Sequence, residues 1–128
     1  MKIVATIARI LMGLAFVVFG ANGIHQFIPN PNGLPPGLAG QFAAALFASH
    51  YMMVVAALQL ISGLLLLVNR YTVLGLTILG PILVNILLFH ILLFHTGISI
   101  ALFVVVLWCI VAFYHRKYFA SLFVQRPD

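Results

Sequence analysis

The feature that most constrains this chain is a set of four long apolar runs. They cover Ile10–Phe27, Tyr51–Val68, Val73–Phe94 and Ile98–Tyr114. A helix needs about 20 residues to cross the hydrocarbon core of a bilayer, and only a helix satisfies its own backbone there within one short segment. Because a transmembrane barrel needs about eight strands, the runs predict an all-α protein.

The composition agrees with a membrane location, because 65% of the residues are hydrophobic and only 5% are charged. A soluble domain needs many more polar groups on its surface. We therefore predict an integral membrane four-helix bundle that forms a single transmembrane domain over residues 1–128. The expected helices cover about 4–27, 51–68, 72–94 and 97–115.

The basic residues predict the orientation of the bundle in the membrane. All six lie at one end of the predicted helices, and the only acidic residue is Asp128. The positive-inside rule makes that end cytoplasmic, so both termini are expected in the cytoplasm of a bacterial inner membrane. The net charge of +5 is therefore attributed to contact with the lipid bilayer, and no nucleic-acid partner is expected. The six are Lys2, Arg9, Arg70, Arg116, Lys117 and Arg126.

The longest connection, residues 28–49, is expected on the outside. Its proline-rich first part, Pro29–Pro36, is predicted to be non-helical, since proline lacks the backbone donor. Its second part, Leu38–Ala48, is apolar and too short to span the membrane. We predict a short interfacial helix there, between helices one and two, with Ser49 capping helix two.

Five polar side chains are expected in the outer half of the bundle. One interpretation is that they hydrogen-bond between helices; the other is that they line an outward-facing pocket for a quinone or a lipid. Pro81 is expected to kink helix three and to splay the outer half of that helix. The candidates for the pocket are Asn22, His25, Gln59, Asn85 and His90.

No metal site is predicted, because the apolar runs contain no carboxylate and Cys109 is the only cysteine. A haem held by His25 and His90 is disfavoured against neutral histidines that donate hydrogen bonds. No nucleophile–base pair is apparent, so the chain is not expected to be catalytic on its own. Gly13 and Gly20 suggest either close packing within the bundle, which we favour, or a dimer face.

Three stretches resemble the DoxX-like family of small four-helix bacterial membrane proteins. Arg9–Gly20 reads R-x-x-x-G-x-x-F-x-x-x-G, Asn22–Pro29 reads NGIHQFIP, and Gly80–His90 reads GPILVNILLFH. The resemblance implies a four-helix bundle, with Asn22, His25, Pro81, Asn85 and His90 at the matching positions. Many members carry a Glu where this chain has Gln59 and a Lys where it has Val55, so an ion pair is lost.

The family is named after a membrane subunit of a thiosulfate:quinone oxidoreductase. The resemblance therefore implies an accessory subunit of a quinone-linked redox complex, with other membrane subunits as partners. The alternative is a structural or assembly subunit that docks other membrane helices and binds no ligand.

Overall fold

The structure is a computed structural model that describes residues 1–28 and 33–126, and these residues form helices and no strand. The predicted non-helical stretch at 29–32 lies outside the described residues. The helices are α1 (Lys2–Ile24), α2 (Gly37–Ala48), α3 (Tyr51–Val68), α4 (Thr72–Leu88) with a π-helical turn (Phe89–Leu93), α5 (Ile98–Tyr114), and α6 (Arg116–Phe119) with a 3₁₀ turn (Ala120–Phe123).

Three of these helices are long and apolar enough to cross a membrane. They are α1, α3 and α4 with its π-helical turn, each with a mean hydropathy of 2.3. The prediction that the chain is all-helical is confirmed for the described residues, and the apolar helices are compatible with the predicted membrane bundle. The count of four stays a prediction, because α5 has only 17 residues and reaches the spanning length only together with α6, which bends away by 85°.

α1 ends three residues before the predicted boundary at 27, with His25 as its C-cap. The Asn22 Oδ1 accepts hydrogen bonds from the backbone N–H groups of Phe27 and Ile28, at 3.0 and 2.9 Å. An asparagine side chain that bonds nearby backbone groups offers the chain an alternative to the helix. His25 therefore has an extended backbone, with φ −136°.

Glycines allow α1 and α3 to pack very closely. A Cβ added at Gly20 would lie 2.6 Å from the backbone nitrogen of Leu60, and one at Gly13 would lie 3.1 Å from the carbonyl oxygen of Gly63. Gly23 also faces α3. Small residues let membrane helices approach in this way. The favoured interpretation of these glycines, close packing within the bundle, is confirmed.

The core lies where α1, α3, α4 and α5 meet. Its side chains are almost all aliphatic, and the side chain of Phe119 packs against it from beyond α5. The buried members include Met12, Phe16, Leu66, Leu76, Leu79, Leu83, Leu107 and Val111.

A helix occupies the predicted interfacial position in the outer loop, and it packs on α3 and on the π-helical turn. The ring of Phe42 lies 5.9 Å from the ring of Phe89. Ser49 follows this helix, and its Oγ accepts a hydrogen bond from the Tyr51 N–H at 3.3 Å. The N-cap of α3 is His50, and no side-chain capping hydrogen bond is made there, so the prediction that Ser49 caps this helix is wrong. Ser49 is instead the C-cap of α2, and its Oγ donates to the carbonyl oxygen of Ala45 at 2.6 Å.

Candidate functional site

The two ends of the bundle differ in chemistry. The loop end carries the ends of α1 and α2, the start of α3 and the π-helical turn. The basic end carries the start of α1, the α3–α4 turn and α6, with all six cationic residues of the chain on these segments or close to them. Four of the five pocket candidates belong to the loop end or the half next to it.

Asn22 and His25 belong to the end of α1. The side-chain oxygen of Asn22 already accepts hydrogen bonds from two backbone N–H groups that follow α1. His25 is exposed and lines an open cleft of about 290 Å³ together with Gln26, His50 and Met52. Of the five candidates, only His25 lines this cleft.

Gln59 points into the bundle from the middle of α3. Only 5% of its surface is exposed. None of the side-chain hydrogen bonds within residues 1–28 and 33–126 involves it, so the residue is buried and its amide makes no hydrogen bond there. Ser62, one turn further on, is fully buried, and its Oγ has no hydrogen-bond partner among the described residues either.

Asn85 points out of the bundle. The residue is exposed, and its Nδ2 donates to the carbonyl oxygen of Pro81 at 3.0 Å within the same helix. Its neighbour Leu83 is buried, because residues two apart on a helix face different sides. Asn85 makes no hydrogen bond with His25 or His90 and does not line the cleft that contains His25. The shared pocket therefore stays a prediction.

His90 lies in the π-helical turn and is half-buried. Its Nδ1 is 3.1 Å from the carbonyl oxygen of Phe94, and its ring meets the Phe89 ring edge-on at 5.3 Å. Its Cε1 atom would lie 3.3 Å from a Cβ added at Gly97. His90 thus packs against the end of its own helix, as a capping side chain does.

Pro81 does not interrupt α4, which continues as a helix from Thr72 to Leu88. The predicted kink stays a prediction, and the irregular backbone begins only at the π-helical turn. Sequence reasoning missed Trp108 of α5, which packs beside the proline turn. Its Nε1 donates to the carbonyl oxygen of Leu76 at 2.9 Å. The available sequence signal was that the only tryptophan of the chain lies in the apolar run that follows the run with Pro81.

A second cleft, of about 450 Å³, lies at the basic end, and the sequence analysis did not anticipate it. Its lining combines two cations with aromatic rings. The signal for it was the H-R-K-Y sequence that directly follows the last apolar run. The lining residues are Tyr114, His115, Arg116, Lys117 and Tyr118.

Arg9 connects this end of the bundle to α3. Its guanidinium donates to the carbonyl oxygens of Leu66 and Leu67 in the last turn of α3. The last four carbonyl groups of a helix lack an N–H partner within the helix, so a side-chain donor can bond them. A cation at this end also complements the helix dipole. Burial, and then the nearby charges of Arg9 and Lys117, lower the pKa of His115 below its ordinary value.

The side chains of the described residues do not form a group of three or more His, Cys, Asp or Glu that could hold a metal ion. A comparison with protein-family models, with curated proteins and with solved structures gave no match for this chain. The resemblance to the DoxX-like family therefore stays a prediction.

Proposed function

We propose that this protein is an accessory subunit of a larger membrane complex, and that a helix of another subunit docks on one face of α4. The docking face is defined by Thr77, Pro81 and Asn85. These residues recur every four positions, so they lie on one side of the helix, and all three are exposed.

The depth of Asn85 is the observation that carries this proposal. At 1.5 Å per residue, Asn85 lies about 20 Å along the helix from Thr72 and about 12 Å before Leu93. A hydrocarbon core is about 30 Å thick, so both distances put the amide within it. The flanking exposed side chains of Val84 and Leu88 are apolar, as contact with lipid or with another membrane helix requires.

The amide of Asn85 is incompletely satisfied. It donates one hydrogen bond to the Pro81 carbonyl, and it makes no other hydrogen bond within the described residues. Pro81 also lacks the N–H that would bond the carbonyl of Thr77. Unpaired polar groups are costly in hydrocarbon, whereas Ser, Thr, Asn, Gln or His of a neighbouring helix can pair with them. A docked helix with such side chains would pair with the Asn85 amide and with the carbonyl of Thr77.

The resemblance to the DoxX-like family supports a redox complex as the host of this subunit. The basic end, with its cations and no acidic residue among residues 1–126, supports a cytoplasmic position for both termini in a bacterial inner membrane.

Native mass spectrometry of the tagged protein, extracted in mild detergent from its own membranes, tests this function. We expect a partner in fixed stoichiometry with the wild-type chain. Asn85→Leu removes the amide and should weaken that association by about 3-fold to about 15-fold, the range measured for hydrogen bonds between membrane helices.

Two control variants make the experiment specific. Asn85→Gln keeps an amide on the same face and should retain the partner. Leu102→Ala alters an exposed position on α5, away from the docking face, and should also retain it. The proposal fails if Asn85→Leu retains the partner as well as the wild type does, or if Leu102→Ala loses it to the same extent.

A second candidate function is the binding of a quinone or lipid headgroup, and Gln59 favours it. Gln59 is only 5% exposed and its amide makes no hydrogen bond with the described residues. An amide that enters an apolar environment without a hydrogen bond costs about 2 to 7 kcal/mol. A bound headgroup would satisfy it. Gln59→Leu should then remove a quinone or lipid that copurifies with the wild type. An unchanged content of both in the variant would exclude this function for Gln59.

A further inference from the structure

The chain turns sharply where α5 ends at the basic end. α6 and the 3₁₀ turn that follows it leave the α5 axis at 85°. If α5 crosses the membrane as its apolar composition predicts, a segment at this angle to it lies near the plane of the membrane surface. Its anchor is Phe119, whose ring lies 6.5 Å from that of Trp108 and packs against the core.

The outer side of this segment is strongly apolar. Leu122 is 70% exposed and Phe123 is 85% exposed, and Tyr118 and Val124 are more than half exposed. Leu122 and Phe123 are therefore largely uncovered by the described residues. An apolar face of this kind is stabilised when it enters the boundary between headgroups and acyl chains. The segment therefore has a surface suited to lipid acyl chains directly beside the basic cleft.

The cleft holds its two cations in defined positions. The guanidinium of Arg116 lies 4.3 Å above the Phe113 ring and donates to the Phe113 carbonyl at 2.9 Å. The Lys117 ammonium lies 4.9 Å from the centre of the Tyr118 ring. Cation–π contacts orient a charge without neutralising it. Both cations thus face the cleft with their charge intact.

No carboxylate side chain of the described residues balances this charge. Residues 1–126 contain no Asp or Glu, so the described cations have no carboxylate side chain to pair with. Burial is the first cause of the lowered pKa of His115, and the positive charges of Arg9 and Lys117 lower it further. The effect of these two charges agrees with a positive potential here. Such a site attracts a ligand with a localised negative charge.

We infer that the basic cleft binds the phosphate of an anionic phospholipid from the leaflet at this end of the bundle. Arg116 and Lys117 contact the phosphate, and the exposed side chains of Leu122 and Phe123 contact the acyl chains. The exposed apolar side chains favour a phospholipid over free phosphate as the ligand. Free phosphate would bind the two cations but would make no contact with these apolar side chains. This site is independent of the docking face on α4.

Quenching of tryptophan fluorescence tests the site directly, since Trp108 is the only tryptophan of the chain and lies beneath α6. The full-length protein is reconstituted in phosphatidylcholine vesicles that contain a small fraction of phosphatidylglycerol with brominated acyl chains. The reference vesicles contain the same fraction of brominated phosphatidylcholine. We expect stronger quenching by the anionic lipid at equal mole fraction.

Variants separate the cleft from the overall charge. Each cation near a membrane surface increases the affinity for anionic lipid about fivefold, so Lys117→Gln should weaken the preference about fivefold and Arg116→Gln with Lys117→Gln about 25-fold. Lys2→Gln with Arg70→Gln removes the same charge from the same end and serves as the matched control. Circular dichroism checks that every variant keeps its helical content.

Three results would overturn the inference. The first is equal quenching by the anionic and the zwitterionic brominated lipids. The second is an equal loss of preference in the control double variant, which would indicate a diffuse charge effect. The third is loss of the preference when inorganic phosphate replaces chloride at constant ionic strength, which would indicate a site for free phosphate.

Discussion

Ser62 is a buried hydroxyl at the centre of α3. It is fully buried, and its Oγ has no hydrogen-bond partner among the described residues. A buried polar group without a partner destabilises the folded state by about 1 to 3 kcal/mol. Ser62→Ala should therefore leave the free energy of unfolding unchanged or raise it by up to about 1 kcal/mol.

Unfolding of the detergent-solubilised protein by increasing SDS measures this effect. The control is Thr72→Val, because the Thr72 hydroxyl is also buried but donates to the Asn69 side chain at 3.1 Å. Thr72→Val should destabilise the protein by about 1 kcal/mol. A comparable loss in Ser62→Ala would show that its hydroxyl does have a partner, such as a bound water.

His115 should make the stability depend on pH. Its pKa in the folded protein is lowered from the ordinary value of 6.5, first by burial and then by Arg9 and Lys117. As the pH falls below 6.5, the unfolded chain therefore takes up a proton that the folded chain still resists. Stability should be greatest above pH 6.5, should decline as the pH falls, and should level off once the folded form is also protonated.

The measurement is thermal unfolding between about pH 8 and about pH 5. His115→Gln cannot titrate and should reduce this decline. Lys117→Gln, which removes one of the positive neighbours, should reduce it in part. If the variant without His115 shows the same pH profile as the wild type, another group is responsible for the dependence.

At the scale of the helices, the α1–α3 contact is the most sensitive to added volume. A Cβ at Gly20 would lie 2.6 Å from the Leu60 nitrogen and 2.8 Å from the Ala56 carbonyl oxygen. Both are backbone atoms, so the helices themselves would have to separate. Gly20→Ala should lower the free energy of unfolding by about 1 to 3 kcal/mol, as overpacking of a core does.

Gly80→Ala is the matched control on α4. The added Cβ would lie 3.6 Å from Trp108, at an ordinary van der Waals distance. Alanine is also preferred to glycine in a helix by about 1 kcal/mol, so this variant should be neutral or more stable. SDS unfolding of the two variants gives the comparison, and equal effects would contradict the close α1–α3 packing.

At the scale of the whole molecule, the distribution of charge predicts the orientation in the membrane. The basic end should face the cytoplasm, and the loop end should face outwards. In intact cells, a cysteine at Leu34 should react with an impermeant maleimide, whereas a cysteine at Gln125 should react only after the membrane is opened. Both variants need Cys109→Ala, since the native Cys109 is exposed. The reverse labelling pattern would invert the topology.

The helical class and the helix positions along the chain could be predicted from the sequence, and the reason is length. An uninterrupted apolar run of membrane-spanning length can satisfy its backbone only as a helix. α3 runs from Tyr51 to Val68, which are the ends of its apolar run. α1 ends early because the Asn22 side chain competes for the backbone donors, which hydropathy does not register.

The candidate site could be predicted only in part. The depth of a residue in the membrane can be predicted by counting residues along its helix at 1.5 Å each. The depth of Asn85 is therefore predicted from the sequence alone. The direction of each side chain around the helix axis does not follow from counting. Gln59 points into the bundle and Asn85 points out of it, although the sequence treats both as polar residues in apolar runs.

The sequence by itself thus determined that this chain is helical, roughly where its long apolar helices lie along the chain, and which end of the predicted helices carries the positive charge. Only the tertiary structure decided how each helix is rotated and so which polar side chains meet. The physical reason is that lipid is as apolar as the core, so no hydrophobic stripe marks the inner side of a membrane helix. The rotation depends instead on shape, as where Gly13 of α1 meets Gly63 of α3 and Gly20 meets the backbone of Leu60.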